Sequence, residues 1–131
     1  MYAHVQLGVR NLRAMVAFYD AVLAEVGLSR FTSLERMGPA GVVWRNPGLR
    51  WPQFVLNEPF DGKPATTANG SQISLLCASR DEVDAAWNAA LRHCATDVGK
   101  PGLRPRYAPD FYAAYCLDPE GHKLCFVHTG P

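Results

Sequence analysis

The feature that most constrains this chain is an internal repeat. Residues 4–23, moved along by 68 positions, fall on 72–91. His4 then lands on Gln72, Asn11 on Ser79, Tyr19 on Trp87, Ala21 on Ala89 and Leu23 on Leu91. In each half a short strand-like run (His4-Val-Gln-Leu-Gly-Val, then Gln72-Ile-Ser-Leu-Leu-Cys) meets a polar capping residue and an amphipathic helix. A unit repeated over half a chain buries its apolar face against a neighbouring copy, which predicts a duplicated module. The repeat also places two metal-capable polar side chains, His4 and Gln72, at equivalent positions.

Within each copy the order of elements follows from periodicity and punctuation. Residues 3–9 read as a strand, and Asn11 as a helix N-cap. Leu12, Met15, Val16, Tyr19, Val22, Leu23 and Val26 recur at helical spacing, and Gly27 stops the helix. Leu28 to Leu34, Gly41 to Trp44 and Gln53 to Leu56 read as three short strands. Asn57 to Gly70 is a polar connection containing Gly and Pro, the natural joint between the halves. The expected division is a single domain over 1–131, with one module at 1–57, a linker at 58–70 and a second module at 71–131.

In the second copy, Ser71 to Ala78 reads as a strand. Ser79 and Glu82 form an S-x-x-E capping box. Val83, Ala86, Trp87, Ala90 and Leu91 make the helix stripe. Cys94 to Asp97 reads as a short strand, and Gly99 to Asp110 as a second Pro/Gly loop. Phe111 to Asp118 and His122 to Val127 read as strands around the turn Asp118-Pro-Glu-Gly121, which suits a type I turn with Gly at a positive φ.

Composition removes several function classes. The formal net charge is +1 with no basic run, which argues against nucleic acid or an anionic membrane as the main partner. No apolar stretch approaches the ~20 residues of a membrane span. The opening Met1-Tyr-Ala-His-Val-Gln lacks the pattern of a signal peptide, so a cytoplasmic location is expected. The four cysteines (Cys77, Cys94, Cys116 and Cys125) form no C-x-x-C pair, and they read as small buried hydrophobes in a reducing compartment. No Ser/His/Asp constellation, phosphate-cradling loop or carboxylate pair within a strand is present.

The runs His4-Val-Gln-Leu-Gly-Val with Asn11-Leu12 and Phe18-Tyr19, the second strand and helix from Gln72, and Asp118-Pro-Glu-Gly-His-Lys-Leu together resemble the vicinal oxygen chelate superfamily. That superfamily holds glyoxalase I, bleomycin-resistance proteins, fosfomycin-resistance transferases and extradiol dioxygenases. Pro52-Gln-Phe, Asp61-Gly-Lys-Pro-Ala-Thr, Gly102-Leu-Arg-Pro and Tyr112-Ala-Ala-Tyr look most like small bacterial glyoxalase-like proteins of unassigned activity. The resemblance implies an α+β fold of two βαβββ modules whose sheets curl into a cup. It also implies a small-molecule ligand, a homodimer and, in metal-dependent relatives, one divalent ion (Zn, Ni, Fe or Mn).

Carried over residue by residue, the ligand positions fall on His4, on Gln72 and on Cys125. The last is a departure, because metal-dependent relatives carry Glu there, after the Asp-Pro-x-Gly turn. One His and one neutral amide offer little to such ions. A thiolate at Cys125 would complete a zinc site, whereas a buried cysteine in an apolar strand stays protonated. The other reading makes His4 and Gln72 satisfied polar groups and Cys125 core. His122 is expected to serve the turn and His93 the helix C-terminus.

For the ligand, Arg104-Pro-Arg-Tyr-Ala-Pro-Asp-Phe-Tyr112 packs two guanidinium groups and three aromatic rings into one irregular segment. Arg104 or Arg106 can hold a carboxylate or phosphate, with Tyr107 and Tyr112 beside them; the alternative is a Pro-stiffened surface loop. Tyr112 and Tyr115 lie three apart on a strand, so at most one lines a cavity. Trp44, with Trp51, offers an aromatic wall or a core residue. Two functions follow. One is a binding protein that holds a small molecule in the cup with a degenerate metal site. The alternative is a metal-dependent lyase, isomerase or dioxygenase using His4, Gln72 and Cys125. A third, metal-free catalysis with His4 as base, has no support beyond that residue.

Overall fold

The structure, a computed structural model, describes residues 1–34 and 40–131 and, over 32–34, the backbone alone. The first half runs β1 (His4–Gly8), α1 (Leu12–Ala24), β2 (Ser29–Leu34), β3 (Gly41–Arg45) and β4 (Gln53–Asn57). The second runs β5 (Gln72–Leu76), α2 (Arg80–Arg92), β6 (Thr96–Leu103), β7 (Tyr112–Leu117) and β8 (Lys123–His128). The offset of 68 seen in the sequence carries β1 onto β5 and α1 onto α2 end for end. Later strands drift from it because the loops differ in length. Contacts divide the chain into two compact units, Met1–Thr66 and Thr67–Pro131.

Each unit is one βαβββ module with an open, mixed four-stranded sheet. The orders are β1-β4-β3-β2 and β5-β8-β7-β6, with the first and last strands of each module parallel and the remaining pairs antiparallel. The parallel pairing requires a crossover, which the helix supplies.

The helices begin where their side chains can satisfy orphan amides. Asn11 Oδ1 accepts from the Ala14 amide at 3.1 Å. Ser79 Oγ accepts from the Glu82 amide at 3.2 Å, and Glu82 Oε2 reaches back to the Ala78 amide at 2.7 Å. At the end of α1 the chain passes through Gly27 at φ +76°, where the Leu28 amide returns to the Leu23 carbonyl at 2.9 Å. At the end of α2, His93 Nδ1 meets the Ala89 carbonyl at 2.8 Å, the structural placement expected of it.

In the first unit α1 buries Met15, Phe18, Tyr19, Val22 and Leu23. Tyr19 lies 4.9 Å from Phe54 and 6.3 Å from Trp44, centroid to centroid. Trp44 is wholly buried in this cluster and donates its indole N–H to Asp20 Oδ1 at 2.9 Å. The same carboxylate is paired with Arg30.

In the second unit, register decides which side chains share a face. Tyr115 pairs with Cys125, Cys116 with Leu124, and Ser74 with Cys125. Leu124, Phe126, Ala114 and Cys116 therefore turn towards α2, where Val83, Ala86 and Ala90 are buried with them. The opposite, helix-free face carries Gln72, Ser74, Cys125, Tyr115 and Lys123.

One expectation is corrected. Gly99 to Leu103 is not loop but the second half of β6, an eight-residue strand. It lies at the sheet edge and, among the described residues, pairs with β7 alone, with register shifts on both sides of Gly99. An edge position tolerates Pro101, whose nitrogen cannot donate to a ladder, and the bulges absorb the glycines.

Candidate functional site

The turn 118–122 fixes the helix-free face of the second unit. Asp118, 3% exposed, accepts at Oδ1 from the amides of Glu120 (3.0 Å) and His122 (2.9 Å). Its own amide donates to the His122 carbonyl at 2.8 Å, and Gly121 sits at φ +98°. This tight turn sets the β7–β8 register and so places the Tyr115 side chain beside that of Cys125.

The floor of the face is the buried group Ala113, Cys125 and Val127, with Phe111 and Tyr115 packed against it. Tyr115 lies across β6 at Gly99. A Cβ at Gly99 would sit 2.8 Å from Tyr115 Cδ2, so only glycine leaves room for the ring in this position. From the helix side, Trp87 Nε1 donates to the Tyr115 carbonyl at 3.2 Å and pins the strand at the same residue.

Two cations flank this ring. The Arg104 guanidinium carbon is 5.6 Å from the ring centroid and Lys123 Nζ is 5.4 Å from it. Arg104 is held by the Lys100 carbonyl (2.7 Å from Nη2) and the Leu103 carbonyl (3.3 Å from Nη1). Its amide donates to the Phe111 carbonyl at 2.7 Å, which closes the segment 104–111 into a hairpin-like loop. Tyr107 stacks on Phe111 at 5.1 Å in that loop, and Arg106 lies over Tyr107 at 5.8 Å.

The candidate residues read from sequence thus separate. Arg104 and Tyr107 belong to the loop that reaches this face. Tyr112 does not: its hydroxyl donates to Asp84 Oδ1 of α2 at 2.8 Å, and Arg80 lies 5.1 Å from its ring, so it is on the helix side. Of the two tyrosines three apart, Tyr115 is the one beside Cys125. Trp44 is a core residue of the first unit, and Trp51 is exposed. His4 is an exposed residue at the start of β1, paired with Gln53 in the β1–β4 register. Lys123 and Ser74 were missed by the sequence reasoning, which weighed Tyr115 only as the alternative to Tyr112. The first unit also has an open cleft of about 360 Å³ lined by Val9, Arg10, Glu58, Pro59, Lys63 and Ala65 among others, with Lys63 and Ala65 drawn from the run Asp61-Gly-Lys-Pro-Ala-Thr.

The sequence matches the profile of the glyoxalase/bleomycin resistance protein/dioxygenase superfamily over residues 2–126. The chain belongs to this superfamily. A crystallised glyoxalase/bleomycin resistance protein from Albidiferax ferrireducens T118 is 30% identical, with a TM-score of 0.83 and 99% of each chain covered. A glyoxalase/bleomycin resistance protein/dioxygenase domain from Frankia sp. EAN1pec shares the fold at 16% identity and TM-score 0.75, covering 99% of this chain and 98% of its own. TioX from Micromonospora sp. ML1 does so at 17% identity and TM-score 0.66, covering 100% of this chain and 98% of its own. No curated protein matches the sequence.

Superfamily members often use a divalent metal, for which this face offers Gln72 and Cys125 as donors. Gln72 and Cys125 share a face but are offset: Cys125 pairs with Ser74, and Gln72 with Lys123. The Gln72 amide donates to Ser74 Oγ at 3.0 Å. Burial pushes the Cys125 thiol above its ordinary value, against hydrogen bonds with Ser74 and Tyr115 and the charges of Lys123 and Arg104. On this face a neutral amide and a thiol that burial holds protonated, with two cations nearby, do not by themselves fit a divalent ion. Among the described residues no three His, Cys, Asp or Glu side chains gather as a metal-binding group.

The other buried thiols behave alike. Burial pushes Cys77 and Cys116 from 9.0 up to about 12. Both are neutral in either state below pH 9, and above it the unfolded thiols ionise first. Their contribution to stability is therefore present below pH 9 and lost as pH rises towards about 12. At pH 8 in native protein, only the exposed Cys94 is expected to react rapidly with a disulfide reagent, with Cys77, Cys116 and Cys125 released on denaturation. Colorimetric thiol counting before and after denaturant checks this, and fast native reaction at Cys125 would contradict it.

Proposed function

We propose that this superfamily member binds a small molecule on the helix-free face of its second unit, without a metal ion. The observation that carries the reading is the replacement at Cys125. Where metal-dependent relatives place a carboxylate, this chain has a buried thiol in contact with Ser74 and Tyr115, on an apolar floor. Such a floor, bordered by aromatic rings and a few polar groups, suits a ligand held by burial and a small number of directed contacts. Holding and orienting a molecule is what these groups can do. A tyrosine hydroxyl and a neutral thiol offer no strong base and no open Lewis-acid position.

The test is a set of aromatic and aliphatic small molecules titrated into isotope-labelled protein in the presence of a chelator, followed by amide NMR. The reading expects shifts at Ser74, Tyr115, Lys123 and Cys125 that are unaltered when zinc, nickel or manganese replaces the chelator. Shifts that appear only with metal would support the alternative, a metal-dependent lyase, isomerase or dioxygenase.

A further inference from the structure

The charge around Tyr115 deepens that reading, on which this inference rests. Arg104 and Lys123 both lie within 6 Å of one ring. Among the described residues neither is in an ion pair. The Arg104 contacts are two backbone carbonyls and the ring, and the Lys123 contact is the ring. The residues sharing the face are neutral: Gln72, Ser74, Cys125, Ala113 and Val127. Two positive charges without a carboxylate, beside an apolar floor, form an unbalanced local field.

The edge strand is built to keep the Tyr115 ring and Arg104 there. Gly99 leaves room for the Tyr115 ring, and a Cβ at Gly102 would come within 3.0 Å of Arg104 Nη1. The guanidinium is thus pre-ordered, with its carbonyl partners fixing the plane. An ordered guanidinium loses less entropy on meeting an acceptor than a free one.

From this we infer that the ligand is a small anion with a flat apolar body: a carboxylate-bearing aromatic compound. Its charge meets Arg104 and Lys123 beside the Tyr115 ring, and its own ring lies against Tyr115. Charge-assisted bonds to the two cations give the selectivity for the ionised form.

Benzoate and its uncharged isostere benzamide, titrated by amide NMR at low salt in chelator, separate this inference from the reading beneath it. Benzoate is expected to bind at Tyr115 and Lys123 about tenfold more tightly than benzamide, with Lys123→Gln and Arg104→Gln each removing most of that preference. Thermal unfolding of both variants checks that they fold, and the exposed Lys123 provides the variant least coupled to the fold. If both probes bind this face equally, the anion inference fails and the small-molecule reading stands. If neither shifts these residues, both fail. If benzoate binds preferentially but Lys123→Gln and Arg104→Gln leave that preference intact, the assignment to these cations is overturned.

Discussion

Trp44→Ala is expected to lower the stability of the protein by about 3–5 kcal/mol, the range for emptying a large buried aromatic site. The side chain is completely buried, lies 6.3 Å from Tyr19 and 6.4 Å from Phe54, and donates its indole N–H to Asp20. Deletion leaves a cavity under α1 and removes a fixed partner from Asp20, which Arg30 then holds alone. A loss of this size is a large share of the ~5–15 kcal/mol that separates folded from unfolded states. Trp44→Phe keeps much of the packing and gives up the hydrogen bond, so a smaller loss is expected. Denaturant titration measures both. Unchanged stability in Trp44→Ala, with altered ligand binding, would return this residue to the role of an aromatic wall.

Tyr115→Ala is expected to weaken binding of the benzoate probe by roughly thirtyfold, equivalent to about 2 kcal/mol for loss of a central aromatic anchor. The substitution removes the ring that lies beside both Arg104 and Lys123 and uncovers the space above Gly99. Tyr115→Phe retains the ring and gives up the contact of the hydroxyl with Cys125, so most of the affinity should remain. Tyr112→Phe is the control. Its hydroxyl serves Asp84 on the helix side, so binding should be unchanged while stability falls by about 1 kcal/mol. Isothermal titration of the three variants reads the difference. Equal losses in Tyr112→Phe and Tyr115→Ala would show that the two faces of β7 have been misassigned.

The two tyrosines illustrate how far the sequence carries. Their separation by three along a strand places them on opposite faces, and the structure shows them there. Choosing between them needs the partner strand. The turn Asp118-Pro-Glu-Gly121 contains that information, because a hairpin closed from Asp118 to His122 pairs Leu117 with Lys123 and then Tyr115 with Cys125. Counting outward from the turn would have found Tyr115 and Lys123.

The repeat and both helix starts were legible for a physical reason: Asn11, Ser79 and Glu82 act locally, within a few residues of what they cap. β6 was not legible. Gly99, Pro101 and Gly102 carry loop propensities, and only the edge position and the Tyr115 ring lying across Gly99 explain a strand there. Trp44 shows the opposite limit, because its strand was evident and its face depended on pairing with Phe54. Arg104 and Tyr107 were singled out from a density of rings and charges in one segment. The meeting of Arg104 with the Tyr115 ring is a tertiary fact that no local spacing encodes, whereas Tyr107 meets Phe111 within the one loop.

Metal content, measured by mass spectrometry on untagged protein purified without chelator and then exposed in turn to Zn, Ni, Fe and Mn, tests the absence of a metal from the binding site most directly. The account predicts metal well below one ion per chain, unaffected by Cys125→Ser, together with benzoate binding that survives chelation. One tightly held ion per chain, lost in Cys125→Ser or His4→Ala along with the binding of the probe, would contradict it and restore the metal-dependent enzyme.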